Sequence, residues 1–196
     1  MREKELEERM LISRDKYLEI EEYIQKNYPN YKLIHLKNRY FDDANKTLRR
    51  IRNVLRIRSI KDWDIRQFTY KVKGEDGDME YTQPLTYYSF NQIIYYHRFP
   101  KCETVDQLIK DGVDINTLRI VTELRTRRME VELSDYTFVL DANEYNNIVD
   151  YNIEVESKKS KEHAKSVMME ICQLFSMEYK SDSPGKSSRA FASLKD

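Results

Sequence analysis

The sequence predicts an α+β fold in which a mostly antiparallel sheet of about eight strands is flanked by a few helices. Three observations carry this. Short segments alternate polar and apolar residues, they follow one another in hairpin-like order, and stretches of helical period with N-cap residues interrupt them. At 196 residues the chain suits a single domain over 1–196, large enough to enclose a cavity.

"ELEERMLI" alternates as a first strand. Ser13 is placed to cap the helix "RDKYLEIEEYIQKNY", whose Tyr17, Ile20, Tyr23 and Ile24 make an apolar stripe. "YKLIHLKNRYFD" is the next strand. A basic turn, "LRRIRN", leads to "VLRIRSIK" and "IRQFTYKVK", a hairpin around Lys61 to Asp64. "GEDGD" reads as a turn and "MEYTQPL" as a strand. "TYYSFNQIIYYHRF" is a helix whose tyrosines are assigned to core packing, and "ETVDQLIKDG" a shorter helix. "LRIVTELRTRRMEVEL", "YTFVLD" and "VDYNIEVES" complete the strands. "SKEHAKSVMMEICQLF" is a late helix with Val167, Ile171 and Leu174 among its apolar positions, and "PGKSSRAFASL" closes the chain as a short one.

Charge recurs at a spacing of two along these strands: Glu5, Glu7 and Arg9; Arg56 and Arg58; Lys71 and Lys73; Arg128 and Glu130; Glu154 and Glu156. Side chains two apart on a strand share a face. One such strand is read most simply as half-wet. Across the set, however, the signs separate: middle strands supply Arg and Lys, while the first and last supply Glu pairs. A sheet of about eight strands can close into a barrel with one face inward. Charges on that face must be paired, hydrated or matched by a ligand. A polyanion carrying a divalent metal would satisfy both signs, with cations on phosphate oxygens and carboxylates on Mg²⁺ or Mn²⁺.

Composition excludes several classes. Lys+Arg and Asp+Glu are both 34, so the basic excess of a non-specific nucleic-acid binder is missing and no DNA partner is expected. With 40% hydrophobic residues and 15 Tyr, the chain should fold. Cys102 and Cys172 lie far apart, and with His35, His97 and His163 scattered they offer no zinc pattern. "GKSS" lacks the earlier glycine of a phosphate-binding loop, since position 180 is Lys. No apolar run approaches a membrane span and the amino terminus is charged from Arg2, so a cytoplasmic protein with no membrane partner is expected. Apolar strand faces can be covered by the helices or by a second subunit in a homodimer.

Eight segments together resemble the CYTH family, the triphosphate tunnel metalloenzymes, in its bacterial branch. "ELEER" is similar to the ExExK opening, "NRYFDD" to N-x-YFDT, "LRIR" to the paired-arginine strand and "TYKVK" to the lysine strand. "EYTQPLT" is similar to E-x-x-QPLT, "TRRMEV" to T-x-R-x-E, "VLD" and "IEVE" to the later acidic strands, and "GKSSRAF" to the terminal K-x-x-R. The resemblance runs from Glu5 to Arg189. It implies an eight-stranded antiparallel β-barrel, the triphosphate tunnel, with flanking helices, taking a triphosphate-containing small molecule with Mg or Mn. Glu5 and Glu7 would bind metal, with Glu154 and Glu156 on the facing wall and Glu130 and Asp141 completing the acidic set. Arg56, Arg58, Lys71, Lys73 and Arg128 would bind the triphosphate, joined by Lys186 and Arg189. Glu156, or Glu154, would serve as the base, and Glu80 matches an acidic position of no assigned role.

Two positions depart from the pattern. Arg9 replaces the signature lysine: it keeps the charge for phosphate binding but cannot deprotonate as a lysine can. Asp43 stands where the family usually has Thr, in a segment expected to be structural. The expected activity is hydrolysis of inorganic triphosphate or a small organic triphosphate, nucleoside or thiamine. A CYTH-type adenylate cyclase and a non-catalytic polyphosphate or nucleotide sensor are the alternatives.

Overall fold

The computed structural model describes residues 2–4, 6–61, 64–74, 78–181 and 183–194, residues 2–4 by backbone alone. In chain order the elements begin β1 (Arg2–Lys4), β2 (Glu7–Ile12), α1 (Arg14–Asn27), β3 (Lys32–Asp42), α2 (Thr47–Arg50), β4 (Val54–Ile60) and β5 (Ile65–Val72). They continue β6 (Met79–Pro84), α3 (Tyr87–Tyr96), α4 (Glu103–Lys110), β7 (Arg119–Glu132), β8 (Tyr136–Tyr145), β9 (Ile148–Ser157), α5 (Lys161–Leu174) and α6 (Lys186–Ala192). The chain divides into two compact units, Met1–Glu5 with Lys37–Leu124 and Leu6–Leu36 with Arg125–Asp196. β3 and β7 contribute residues to both.

In the first unit the strands lie in the order β1-β6-β5-β4-β3, and in the second β7-β8-β9-β2. The ladders between β1 and β6, β2 and β9, β4 and β5, β5 and β6, β7 and β8, and β8 and β9 are antiparallel. The fold class is the expected one, α+β with an antiparallel sheet. Among the described residues the first expected strand is in two parts: β1 pairs with β6 and β2 with β9. Among the described residues no ladder joins β1 to β2, so the sheet is not closed by hydrogen bonds. No helix among them is long and apolar enough to cross a membrane.

Local signals place the elements. Ser13 is extended at the head of α1 and its hydroxyl accepts from the Lys16 N–H at 3.3 Å. Thr86 does the same for α3, accepting from Ser89, and Ser160 for α5, accepting from His163. β8 turns into β9 through Asn146 and Asn147, both at positive φ. Asparagine tolerates that region, and a two-residue turn of this kind fixes the register that pairs Tyr145 with Ile148. The expected "GEDGD" turn includes residues outside the described set.

Alternation leaves each unit one apolar sheet face, which helices cover. In the second unit Met10, Met129, Leu140, Ile153 and Val155 pack with Ile20 and Ile24 of α1 and Val167 and Met168 of α5. In the first, Leu55, Ile57, Phe68 and Tyr70 pack with Ile93 of α3 and Leu108 of α4. Each such side chain contributes about 1.5–3 kcal/mol by leaving water.

Three local expectations need correction. The tyrosines of α3 are not core: Tyr87, Tyr88, Tyr95 and Tyr96 are 62–72% exposed, because Ile93 occupies the inward position of a short helix. Leu174 is exposed at the last position of α5. "LRRIRN" begins within the single helical turn α2, where Arg49 pairs with Asp42 at 2.9 Å. Asp43 accepts from the N–H groups of Thr47 and Asp114, at 2.8 and 3.1 Å. These bonds hold its carboxyl below the usual range although burial acts to raise it.

Candidate active site

In the second unit β2 lies against β9 with Glu7 opposite Glu156 and Arg9 opposite Glu154. The ladders extend this row: Asp141 pairs with both Asn152 and Arg128, and Asn143 with both Asp150 and Thr126. All stand on the face opposite the apolar core. Glu154 and Glu156 were expected on a wall facing Glu7, but they occupy the strand next to it. Spacing along a chain reports which face a side chain takes, not which strand becomes its neighbour.

Glu7, Glu154 and Glu156 converge, their oxygens within 4.8 Å of one another. Hard divalent ions bind oxygens at about 2.0–2.6 Å, so one ion can be shared by atoms so placed. Glu5 lies outside the described residues. Glu130 and Asp141 are outside this group of three. Asp141 is fully buried and committed to cations, whereas Glu130 sits 3.4 Å from Arg128.

Arg128, only 8% exposed, organises the carboxylates. Its Nε and Nη2 donate to the two oxygens of Asp141 at 2.9 and 3.0 Å, and Nη2 also to Glu154 at 2.8 Å. Nη1 approaches Glu130 and Glu156 at 3.4 and 3.5 Å. Lys186, at the start of α6, adds Nζ contacts of 2.6 Å to Glu154 and 2.7 Å to Asp141. Arg9 pairs with Glu7. Five carboxylates (Glu7, Glu130, Asp141, Glu154, Glu156) thus meet three cations (Arg9, Arg128, Lys186). Among the described residues this leaves a formal excess of two negative charges.

The two glutamates of β9 differ electrostatically. Burial acts to raise the Glu154 carboxyl, but Lys186, Arg128 and Arg9 hold it well below the usual range. Glu156 moves the other way: lost hydration at its carboxylate, with Glu154 and Glu130 close by, outweighs Arg128 and Lys186 and raises it. Its side chain is nevertheless 46% exposed, so water reaches it.

Arg189 was grouped with Lys186, yet it sits elsewhere. Its Nε and Nη2 bind the two oxygens of Asp150 at 2.7 and 3.0 Å, Nη2 also meets Asn152, and Nη1 donates to the Pro184 carbonyl. This anchors α6 to β9. Asp150 and Asn152 were missed, although continuing the alternation backward from Glu156 reaches both.

The first unit carries the basic row. Arg56 and Arg58 lie on the face of β4 opposite Leu55 and Ile57, and Val54 pairs with Lys71, which places Lys71 on the same face. Arg56 Nη2 meets Glu80 at 3.1 Å, and Arg58 Nε donates to Asn38 at 3.0 Å. Lys71 and Lys73 both approach Asp78, at 3.3 and 3.4 Å. Lys73 lies just past the end of β5 and is 63% exposed. Glu80 thus acquires a role as the partner of Arg56, while Asp78, just before β6, gave no signal in the sequence.

Known proteins share this fold. No curated protein matches the chain. Among solved structures, a Bacillus halodurans protein provisionally assigned as an adenylate cyclase is 27% identical, with a TM-score of 0.87 over 97% of this chain and 98% of its own. A Hippeastrum protein, provisionally an adenylyl cyclase and described as having a dominant triphosphatase activity, is 17% identical, with a TM-score of 0.79 over 95% and 94%. A Pyrococcus horikoshii protein shares the fold at 14% identity, with a TM-score of 0.58 over 95% and 98%. The family model for the CYTH domain matches residues 3–184, nearly the whole chain and the strands that carry both charged faces, and the chain belongs to that family.

Proposed function

We propose that the protein is a divalent-metal-dependent triphosphatase acting on inorganic triphosphate or a small nucleoside or thiamine triphosphate. The observation that carries this reading is the convergence of Glu7, Glu154 and Glu156 beside Arg128, Arg9 and Lys186. Glu7 and Glu154 would hold Mg²⁺ or Mn²⁺, with Glu5 completing the set and Glu156 beside them. When bound, the metal neutralises phosphate oxygens and aligns the terminal phosphoryl group.

The protein's own groups divide the remaining work. Arg56, Arg58, Lys71 and Lys73 of the first unit would take phosphate oxygens, and so would Arg9 and Lys186 of the second. Arg128 holds Asp141 and Glu154 in place. Glu156 takes a proton from the attacking water: it is reached by solvent and its carboxyl is raised, so it is the more basic of the pair. Glu154, buried and held by three cations, is a ligand and not a base. As the water oxygen bonds to the terminal phosphorus, the bridging P–O bond breaks, giving phosphate and diphosphate.

The test is phosphate release from inorganic triphosphate, ATP and thiamine triphosphate with Mg²⁺ or Mn²⁺, with cyclic AMP assayed in the ATP samples. Metal-dependent release that collapses in Glu7→Gln supports the reading. The Bacillus halodurans similarity favours a second reading, in which the same site turns a ribose hydroxyl on the α-phosphate and diphosphate leaves. Cyclic AMP as the main product would select it. Tight triphosphate binding with neither product would leave a sensor.

A further inference from the structure

We propose that Gly185 is a positioning residue: its missing side chain is the space in which the Arg9 guanidinium lies, and this sets where that cation stands beside the metal-binding glutamates. Gly185 heads α6 with φ −62° and ψ 158°, a conformation open to any residue. The backbone therefore gives no reason for glycine here. Space does. A Cβ at position 185 would overlap Arg9 Nη1 and lie 3.6 Å from Arg9 Cζ, with no other group close among the described residues. The obstacle is the far end of a flexible side chain, so filling the space displaces Arg9 and leaves α6 intact.

The neighbourhood makes that displacement matter. Arg9 pairs with Glu7 and stands opposite Glu154 in the β2–β9 register. The residue after Gly185 is Lys186, whose amine contacts Glu154. Two cations from distant parts of the chain thus stand at neighbouring glutamates, and Gly185 is one place where their segments touch. The longer arginine requires the bare Cα, whereas a lysine at position 9 lacks the Nη1 that occupies it.

The inference deepens the metal-site reading above, and its test needs no turnover. Mn²⁺ affinity would be titrated in wild type, Gly185→Ala, Arg9→Lys and the double variant, with thermal unfolding measured alongside. Gly185→Ala is expected to change the Mn²⁺ dissociation constant about threefold or more while Arg9 is present, and less than about 1.5-fold in the Arg9→Lys protein. The melting midpoint of Gly185→Ala should stay within about 3 °C of wild type. An unchanged affinity in Gly185→Ala, or an equal shift in both backgrounds, overturns the proposal. If Gly185→Ala fails to fold, adding Arg9→Ala must restore folding, since the obstacle is then gone; failure to restore also overturns it. A wild-type protein that cleaves no triphosphate but shows the coupling loses the enzymatic reading and keeps this one.

Discussion

The two units solve the same structural problem with opposite chemistry. Each turns one face of an antiparallel sheet to its helices and fills the other with charge at a spacing of two. In the second unit Arg128, Asp141 and Glu154 are buried and the charges share partners: Arg128 alone reaches four carboxylates. In the first, Arg56, Arg58 and Lys71 are half-buried and Lys73 is exposed, and their contacts include Glu80 for Arg56, Asn38 for Arg58 and Asp78 for Lys71 and Lys73. A buried, interlinked cluster cannot lose one member cheaply, whereas a half-open row can. The first arrangement suits a site that must hold its shape around a small cation, the second one that receives a larger, mobile anion.

The largest expected effect is Arg128→Met. It strands Asp141 and Glu154 as buried charges with fewer partners, and should cost about 3–5 kcal/mol in urea unfolding. A loss near that of an exposed pair would erase the distinction between the units. Next, Glu7→Gln should weaken Mn²⁺ binding about tenfold or more, with little change in the unfolding midpoint. Unaltered Mn²⁺ affinity would remove Glu7 from the metal set.

The glutamates of β9 sharpen the comparison through pH. The folded-state pKa of Glu154 lies below its ordinary 4.5, so its stabilisation is present above that pH and is lost as pH falls below it. Glu154→Gln should therefore destabilise at pH 7 and flatten the acid limb of the stability curve. Glu156 is raised, so its ionised form opposes folding at neutral pH, and that cost disappears as pH falls through its folded pKa. Glu156→Gln should leave the protein as stable or more stable at pH 7 while lowering kcat about 10²-fold or more. Equal destabilisation by both variants would contradict the division of roles.

In the first unit, Arg56→Gln should weaken inorganic triphosphate binding about tenfold, a loss of about 1.4 kcal/mol, without altering Mn²⁺ affinity. Isothermal titration reads both, and a change confined to Mn²⁺ would contradict the contrast. The smallest effect belongs to Lys73→Ala. Its amine is largely exposed and lies past the end of its strand, so unfolding should shift by no more than about 0.5 kcal/mol. Triphosphate affinity should fall less than with Arg56→Gln.

Much of this is legible in the sequence. The Ser13 and Thr86 caps, the hairpin strands around Lys61 to Asp64 and the charged faces all follow from short-range patterns, because a helix cap or an alternation involves residues a few positions apart. Motif spacing carried the family. The error over the α3 tyrosines has an equally physical source. A helix of ten residues buries one narrow stripe, and the tyrosines fall at its two ends, around an isoleucine that occupies the inward place.

The sequence by itself determined that Glu7 and Arg9 share a face, that Glu154 and Glu156 share a face, and that acidic and basic strands are segregated. The tertiary structure decided that these pairs are neighbours on adjacent strands, that Lys186 joins them while Arg189 turns to Asp150, and that Arg9 rests on Gly185. The reason is the range of the interactions. Strand alternation is local and is written into each segment. The β2–β9 register joins residues more than a hundred positions apart, and the Lys186–Glu154 and Arg189–Asp150 pairs join residues 32 and 39 apart; only folding brings those together.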